Sequence, residues 1–149
     1  MNALKGLFAG VLGGLVATYA KTIWEDHFPV RSVDTETPPA LLAQRVTDRR
    51  LSVPERQTAE TAIHWTFGTV TGALYGAAAE SLPAVAAGAG LPFGIAFWVG
   101  THGTVVPAAG LEPFPTEVKP RQYAVNEFAG HLVYALALEV VRRGVRQVF

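Results

Sequence analysis

Cysteine is absent from the 149 residues, which excludes a disulfide framework, thiolate catalysis, iron–sulfur clusters and cysteine-type zinc sites. Charge is scarce as well: 16% of the residues carry one, against about 25% in an average soluble domain. The 12 basic and 12 acidic residues cancel, so there is no basic excess for nucleic acid and no acidic excess to keep a tail solvated. Missing too are GxSxG, a phosphate loop, HExxH, and GxGxxG after a strand. No nucleophile stands beside a base, and the chain reads as non-enzymatic.

What charge there is lies unevenly. From Thr61 to Leu111 the only charged residue is Glu80, one in 51, whereas Glu25 to Glu60 holds twelve in 36. A helix exposed to water needs polar groups along its outer face. Long stretches without them point to lipid as the solvent, and the lipid bilayer is the first partner the sequence implies.

Four segments approach the roughly 20 residues that a hydrocarbon core requires: 3–24, 59–82, 85–110 and 122–141. They predict an all-α integral membrane bundle of four transmembrane helices, a single domain over 1–149. One long polar loop, 26–57, joins the first two helices. Ser81-Leu82-Pro83 is a short joint, so the second and third helices are expected to be antiparallel neighbours. Pro113, Pro115 and Pro120 mark the next link. Pro92 and Pro107 should kink the third segment or trim its ends, while Gly88-Ala89-Gly90 reads as part of its helix. Thr37-Pro38-Pro39 is a helix start within the polar loop. The piece that follows lies either at headgroup level or on an ordinary surface. Ser52 with Glu55 three residues on, and Pro54 between them, forms a capping box. Lys5, the apolar core after it and Thr18-Tyr19-Ala20 also fit a cleaved signal. The apolar stretch runs on into Lys21, Ile23 and Trp24, however, and the later spans would keep the chain in the membrane.

Gly6, Gly10 and Gly14 repeat every fourth residue, as do Gly68, Gly72 and Gly76. Each run makes a flat groove for close backbone packing. It serves either a tight bundle or a seam between copies, so a homo-oligomer or a larger membrane complex is expected.

Ionisable groups at membrane depth need partners or water. His64, His102 and His131 fall in the second, third and fourth helices, and Glu127 lies one turn before His131 on the same face. Convergence of these helices would bring His64, His102, Glu127 and His131 into one polar cluster. Three uses stay open: structural hydrogen bonds between helices, a divalent metal or haem site, or proton transfer. No cofactor is required by the sequence, and the Glu-x3-His spacing differs from the Glu-x-x-His di-iron pattern. At the membrane interface Lys21 pairs with Glu25, four residues apart, and Glu139 pairs with Arg142 and Arg143 near a helix C-terminus.

The block Asn126-Glu127-Phe128-Ala129-Gly130-His131-Leu132-Val133, with Glu139-Val140-Val141-Arg142-Arg143 after it, resembles the YagU-like family of small bacterial inner-membrane proteins. The resemblance extends to Pro29, Arg31, His64, Tyr75, Glu80, His102 and Pro107, and leaves out the loop between the first two helices. It implies a multi-pass protein of the bacterial inner membrane, with an undefined link to acid stress. Counting Lys and Arg, the terminal side carries Lys5, Arg142, Arg143 and Arg146. The connecting side carries Arg31, Arg45, Arg49, Arg50, Arg56, Lys119 and Arg121, which leans toward cytoplasmic connections. The functional expectation is a small transport, proton-handling or accessory component. Its competitors are a metal or haem protein and a purely structural subunit.

Overall fold

In a computed structural model residues 2–148 are described, and among them there is helix and turn but no strand. Helix α1 runs Ala3–His27, opened by the Asn2 side chain, which accepts from the Lys5 amide. Helix α2 is Pro38–Thr47, capped by the Thr37 hydroxyl on the Ala40 amide. Helix α3 is Val53–Ser81, and it begins with the expected capping box: the Ser52 amide and hydroxyl both donate to Glu55 Oε2, at 2.9 and 2.6 Å.

The third apolar segment is broken, where one helix over 85–110 was expected. A 3-10 stretch, Pro83–Gly90, ends in three left-handed residues, Gly88, Ala89 and Gly90. Apolar composition does not reveal positive φ; at Gly90, φ 80°, a side chain would be strained, and its Cβ would crowd the Ala135 carbonyl and the Tyr75 hydroxyl at 3.1 Å. Pro92 then sits in the first turn of α4, Leu91–Gly100, where its missing N–H costs nothing. A π turn, Thr101–Val105, leads into the short α5, Val106–Ala108. The wide turn relieves the clash that the Pro107 ring would make with the carbonyl four residues back. The last helix, α6, is Arg121–Val148, longer than the 122–141 expected.

Helices α1 and α3 lie antiparallel with their glycine runs face to face. A Cβ on Gly72 would stand 2.6 Å from the Gly10 carbonyl oxygen, and one on Gly14 would stand 2.9 Å from that of Gly68. Both runs are thus filled within one chain. The other side of α1 takes α6, with Gly13 against Leu138, and α6 takes α4, with Gly94 against Ala135. The closest packing runs in the order α3, α1, α6, α4. The second and third segments, expected as antiparallel neighbours, meet at the Pro83–Gly90 joint and through aromatic rings, Tyr75 to Phe93 at 4.6 Å and Phe67 to Phe97 at 5.7 Å.

Burial is inverted relative to a water-soluble domain. The interior holds Ala9, Ala17, Ala135, Tyr75, Tyr134 and Leu138 together with Lys21, Glu127, His131 and Glu139. The outer faces show Phe8, Leu15, Val16, Phe67, Leu74, Ile95, Val99 and Val140. Large apolar side chains outside and ionised ones inside is the arrangement a lipid solvent favours. Three segments are long and apolar enough to cross a membrane: Ala3–His27, Pro83–Ala108 and Arg121–Val148. Helix α3 has the length, at 29 residues, but its threonines, glycines and His64 dilute its apolar character.

Candidate functional site

Lys21 on α1 and Glu127 on α6 each lie six residues from the loop-side end of their helix, about 9 Å along the axis. The antiparallel packing of α1 and α6 brings them together at the same depth. Lys21 Nζ donates to Glu127 Oε1 at 2.8 Å and also to Glu25. Lys21 does pair with Glu25, yet it is only 8% exposed. It turns inward, because Glu127 offers a second buried carboxylate there. The other Glu127 oxygen faces Arg31 Nη2 at 3.5 Å.

Two imidazoles close on the same carboxylate. His131 is one helical turn after Glu127; its Nδ1 lies 2.9 Å from the Glu127 backbone carbonyl and 3.5 Å from Oε1. His102, carried on the π turn, places Nε2 3.4 Å from Glu127 Oε1 and Nδ1 2.5 Å from Glu112 Oε1. The rings of His102 and His131 touch edge to face, with centroids 5.0 Å apart, and Phe97 packs on His131 at 5.1 Å.

His64 lies apart from this group. Its Nε2 is 3.4 Å from the Thr22 hydroxyl, and the ring lines the same cavity without joining the carboxylate. Of the four residues expected to cluster, three therefore converge.

Two cavities meet at this cluster. One, of about 410 Å³, runs between α3 and α4 beneath α2 and reaches inward to Gly68 and Tyr134. The other, of about 540 Å³, lies between the chain after α1 and the 110–119 link, and Trp98 lines it. Arg31, His102, Leu111 and Glu127 belong to both. Among the described residues, Trp98 Nε1 is the buried side-chain polar atom that lacks a partner. The Tyr134 hydroxyl donates to the Gly68 carbonyl at 2.5 Å; beyond it Leu138, Ala135 and the facing glycines fill the bundle.

At the other end of the helices lies a second charged layer. Glu139, 1% exposed, accepts from the Tyr75 hydroxyl at 2.8 Å, from Arg142 at 2.7 and 2.8 Å, and from Arg143 at 2.6 Å. Arg146 grips Glu80 through two nitrogens, and the Asn2 amide donates to the same carboxylate. The pairs expected of Glu139 with Arg142 and Arg143 are both formed, and Tyr75 ties them to α3, so the group is interhelical and buried at its centre.

His102, Glu127 and His131 offer ligand atoms within 4.8 Å of one another, and two imidazoles with a carboxylate suit zinc, iron or manganese. The other nitrogen of His102 faces a carboxylate and that of His131 a carbonyl, the outer-shell arrangement of many metal sites. Against this, the Lys21 ammonium already holds the shared oxygen. Two rings in edge contact leave no slot for a macrocycle between them, so a haem ligated by this pair does not fit the arrangement.

An all-helical protein with three membrane-length apolar segments and a buried His/Glu/Lys layer is the class that fold and site define. The chain matches the family described as protein of unknown function (DUF1440) over residues 15–140 and belongs to that family. No curated protein and no solved structure matches it.

Sequence reasoning missed Lys21, Arg31 and Glu112 as members of the cluster. Lys21 was detectable by depth, since it sits as far from the end of its helix as Glu127 does. Arg31 and Glu112 come from connections, where no periodicity points to a partner.

Proposed function

We propose that this chain is a four-span, non-enzymatic protein of the bacterial inner membrane, as the YagU-like resemblance implies, and that its buried layer binds and exchanges a proton at His102. The packing of α3 along the whole of α1 supports a fourth crossing, because the glycine contacts carry α3 through the same depth.

One observation carries the proton reading: both ring nitrogens of His102 face carboxylate oxygens, Glu112 at 2.5 Å and Glu127 at 3.4 Å. A neutral imidazole has one N–H and can donate to only one of them; the imidazolium donates to both. Charge balance points the same way. Lys21 and Arg31 stand against Glu25, Glu112 and Glu127, two cations to three anions, and one proton on His102 levels the account. The cavities give that proton a route from the loop side. The packed layer beyond Tyr134 gives it none to the far side, so the resting form is a one-sided vestibule, as an accessory or closed transport component requires.

Nitrogen-15 spectra of the His-labelled protein in detergent test this. Both His102 nitrogens should carry protons, and Glu112→Gln should remove that signature. A His102 ring with a single N–H in the native chain overturns it. Proteoliposomes then divide transport from an accessory role. A pH gradient that decays faster with the native chain than with His131→Ala marks transport; equal leak marks the accessory role.

The ligand-atom geometry of His102, Glu127 and His131 favours a second reading, a divalent metal bound in place of the proton. Elemental analysis of detergent-purified protein decides it, since stoichiometric zinc, iron or manganese lost in His131→Ala establishes the metal.

A further inference from the structure

The neutral total of this chain hides an uneven split between its two ends. Where α1 begins and α3 and α6 finish, Lys5, Arg142, Arg143 and Arg146 stand against only Glu80 and Glu139. The other eight basic and ten acidic residues lie toward the loop end, and so do all four histidines. The terminal end therefore keeps a surplus of two positive charges. Lysine and arginine carry it, and no imidazole takes part. Helix dipoles do not offset it, because α1 and α4 start on this side while α3 and α6 end there.

The charges are layered by depth. The Glu80 and Glu139 side chains are turned inward and buried, while Arg143 is 56% exposed. Arg143 donates to Glu139 through Nε at 2.6 Å and to the Ala86 carbonyl through Nη2 at 3.2 Å. Arg146 donates to Glu80 through Nε and Nη2, at 2.7 and 3.1 Å. Each guanidinium is thus fixed by two of its nitrogens and keeps Nη1 uncommitted. The two residues are three apart, neighbours on one face of α6. Guanidinium groups held in position this way suit the oxygens of a phosphate. The surrounding surface is apolar: Leu4, Leu7 and Phe8 on α1, Leu82 after α3 and Val140 on α6 are all exposed. A free phosphate makes no use of such a collar, whereas the acyl chains of a phospholipid cover it.

We infer that the terminal end is a binding site for an anionic phospholipid. Arg143 and Arg146 hold its phosphate, Lys5 adds to the positive field, and the apolar collar takes its acyl chains. The inference goes beyond the proton reading and rests only on the chain's being a membrane protein.

Thermal unfolding of the full chain in neutral detergent supplies the test, with phosphatidylglycerol, phosphatidylcholine of the same acyl chains, or inorganic phosphate added at equal concentrations. Saturable stabilisation by phosphatidylglycerol is expected, with roughly tenfold weaker affinity for phosphatidylcholine and no effect of phosphate. Arg143→Gln and Lys5→Gln should each weaken the apparent affinity for phosphatidylglycerol about fivefold. Arg143→Gln also takes a donor from Glu139, so Lys5→Gln, at an exposed position, keeps the test decisive if the arginine variant fails to fold. Arg121→Gln, at the loop-end start of α6, should leave the affinity unchanged. Equal affinity for the two lipids or equal stabilisation by inorganic phosphate overturns the inference. So does an affinity indifferent to Lys5→Gln, or one that Arg121→Gln lowers as much as Lys5→Gln does. Its failure is distinct from failure of the proton reading, since the doubly protonated His102 signals would remain.

Discussion

The two ends of the bundle solve one problem in different ways. Each buries carboxylates, yet the end at the chain termini holds them with guanidinium and phenol, and the loop end holds them mainly with ammonium and imidazole, Arg31 adding one more distant guanidinium. Glu139 has four donors from Tyr75, Arg142 and Arg143, all between 2.6 and 2.8 Å. Arginine does not release its proton and grips in a fixed fork, so that layer has one charge state and one geometry. Glu127 faces Lys21, Arg31, His102 and His131 at 2.8 to 3.5 Å, beside two cavities. Imidazole changes charge near neutral pH, so this layer can adopt more than one state. On the proposed reading, a clamp at one end leaves the other free to exchange.

Both layers depend on the glycine seam that sets the distance between α1 and α3. Gly72→Leu should have the largest effect of any change considered, because its Cβ alone falls 2.6 Å from the Gly10 carbonyl oxygen. Forcing a side chain between the two backbones should cost about 3 kcal/mol, the upper end of overpacking. Size-exclusion chromatography in mild detergent should show aggregate in place of a discrete peak. A discrete, native-like peak would mean that the seam is not what holds the layers in register.

Removing one carboxylate at a time sharpens the contrast. Glu139→Gln leaves Arg142 and Arg143 facing a neutral amide in a site 1% exposed, and neither can shed its charge. Breaking a buried pair from one side costs about 3–5 kcal/mol, with the lower figure suited here because Arg143 is half exposed. Glu127→Gln should cost less, about 1–3 kcal/mol, since Lys21 keeps Glu25 and Arg31 is partly exposed. Thermal unfolding in detergent should place native first, then Glu127→Gln, then Glu139→Gln. The reverse order would mean that the loop-end layer is the clamp and the terminal end the adaptable one.

How much of this was legible in the sequence follows from how local each feature is. The Ser52–Glu55 box, the Thr37 cap and the Glu127–His131 pair act within one helical turn, and spacing alone reveals them. The glycine runs were legible as grooves, but not that the two grooves fill each other, because that depends on antiparallel register. The direction taken by Lys21 was not legible either: pairing with Glu25 looks the same whether the side chain points to the headgroups or to Glu127. Glu112 reaches His102 through the turn after Gly110, and no repeat encodes that return. The left-handed Gly88-Ala89-Gly90 was hidden for a different reason, since apolarity in a membrane chain reports the solvent and is silent on backbone conformation.

The smallest effect lies outside both layers, where burial no longer multiplies the charge. Arg49 and Ser52 hold the Glu55 carboxyl down from 4.5 to about 2 through hydrogen bonds to the ionised form, at the exposed start of α3. The folded chain therefore binds this proton less readily than the unfolded one. The stabilisation is complete above pH 4.5 and is lost as pH falls toward 2. Amide exchange at Arg56, whose N–H bonds to the Ser52 carbonyl, should quicken relative to the middle of α3 across that window, and Glu55→Gln should abolish the pH dependence while leaving the two buried layers unchanged. If Glu55→Gln instead altered the His102 spectrum, the cap and the vestibule would be coupled through α3. The loop-end layer could then no longer be treated as an independent unit set against the terminal clamp.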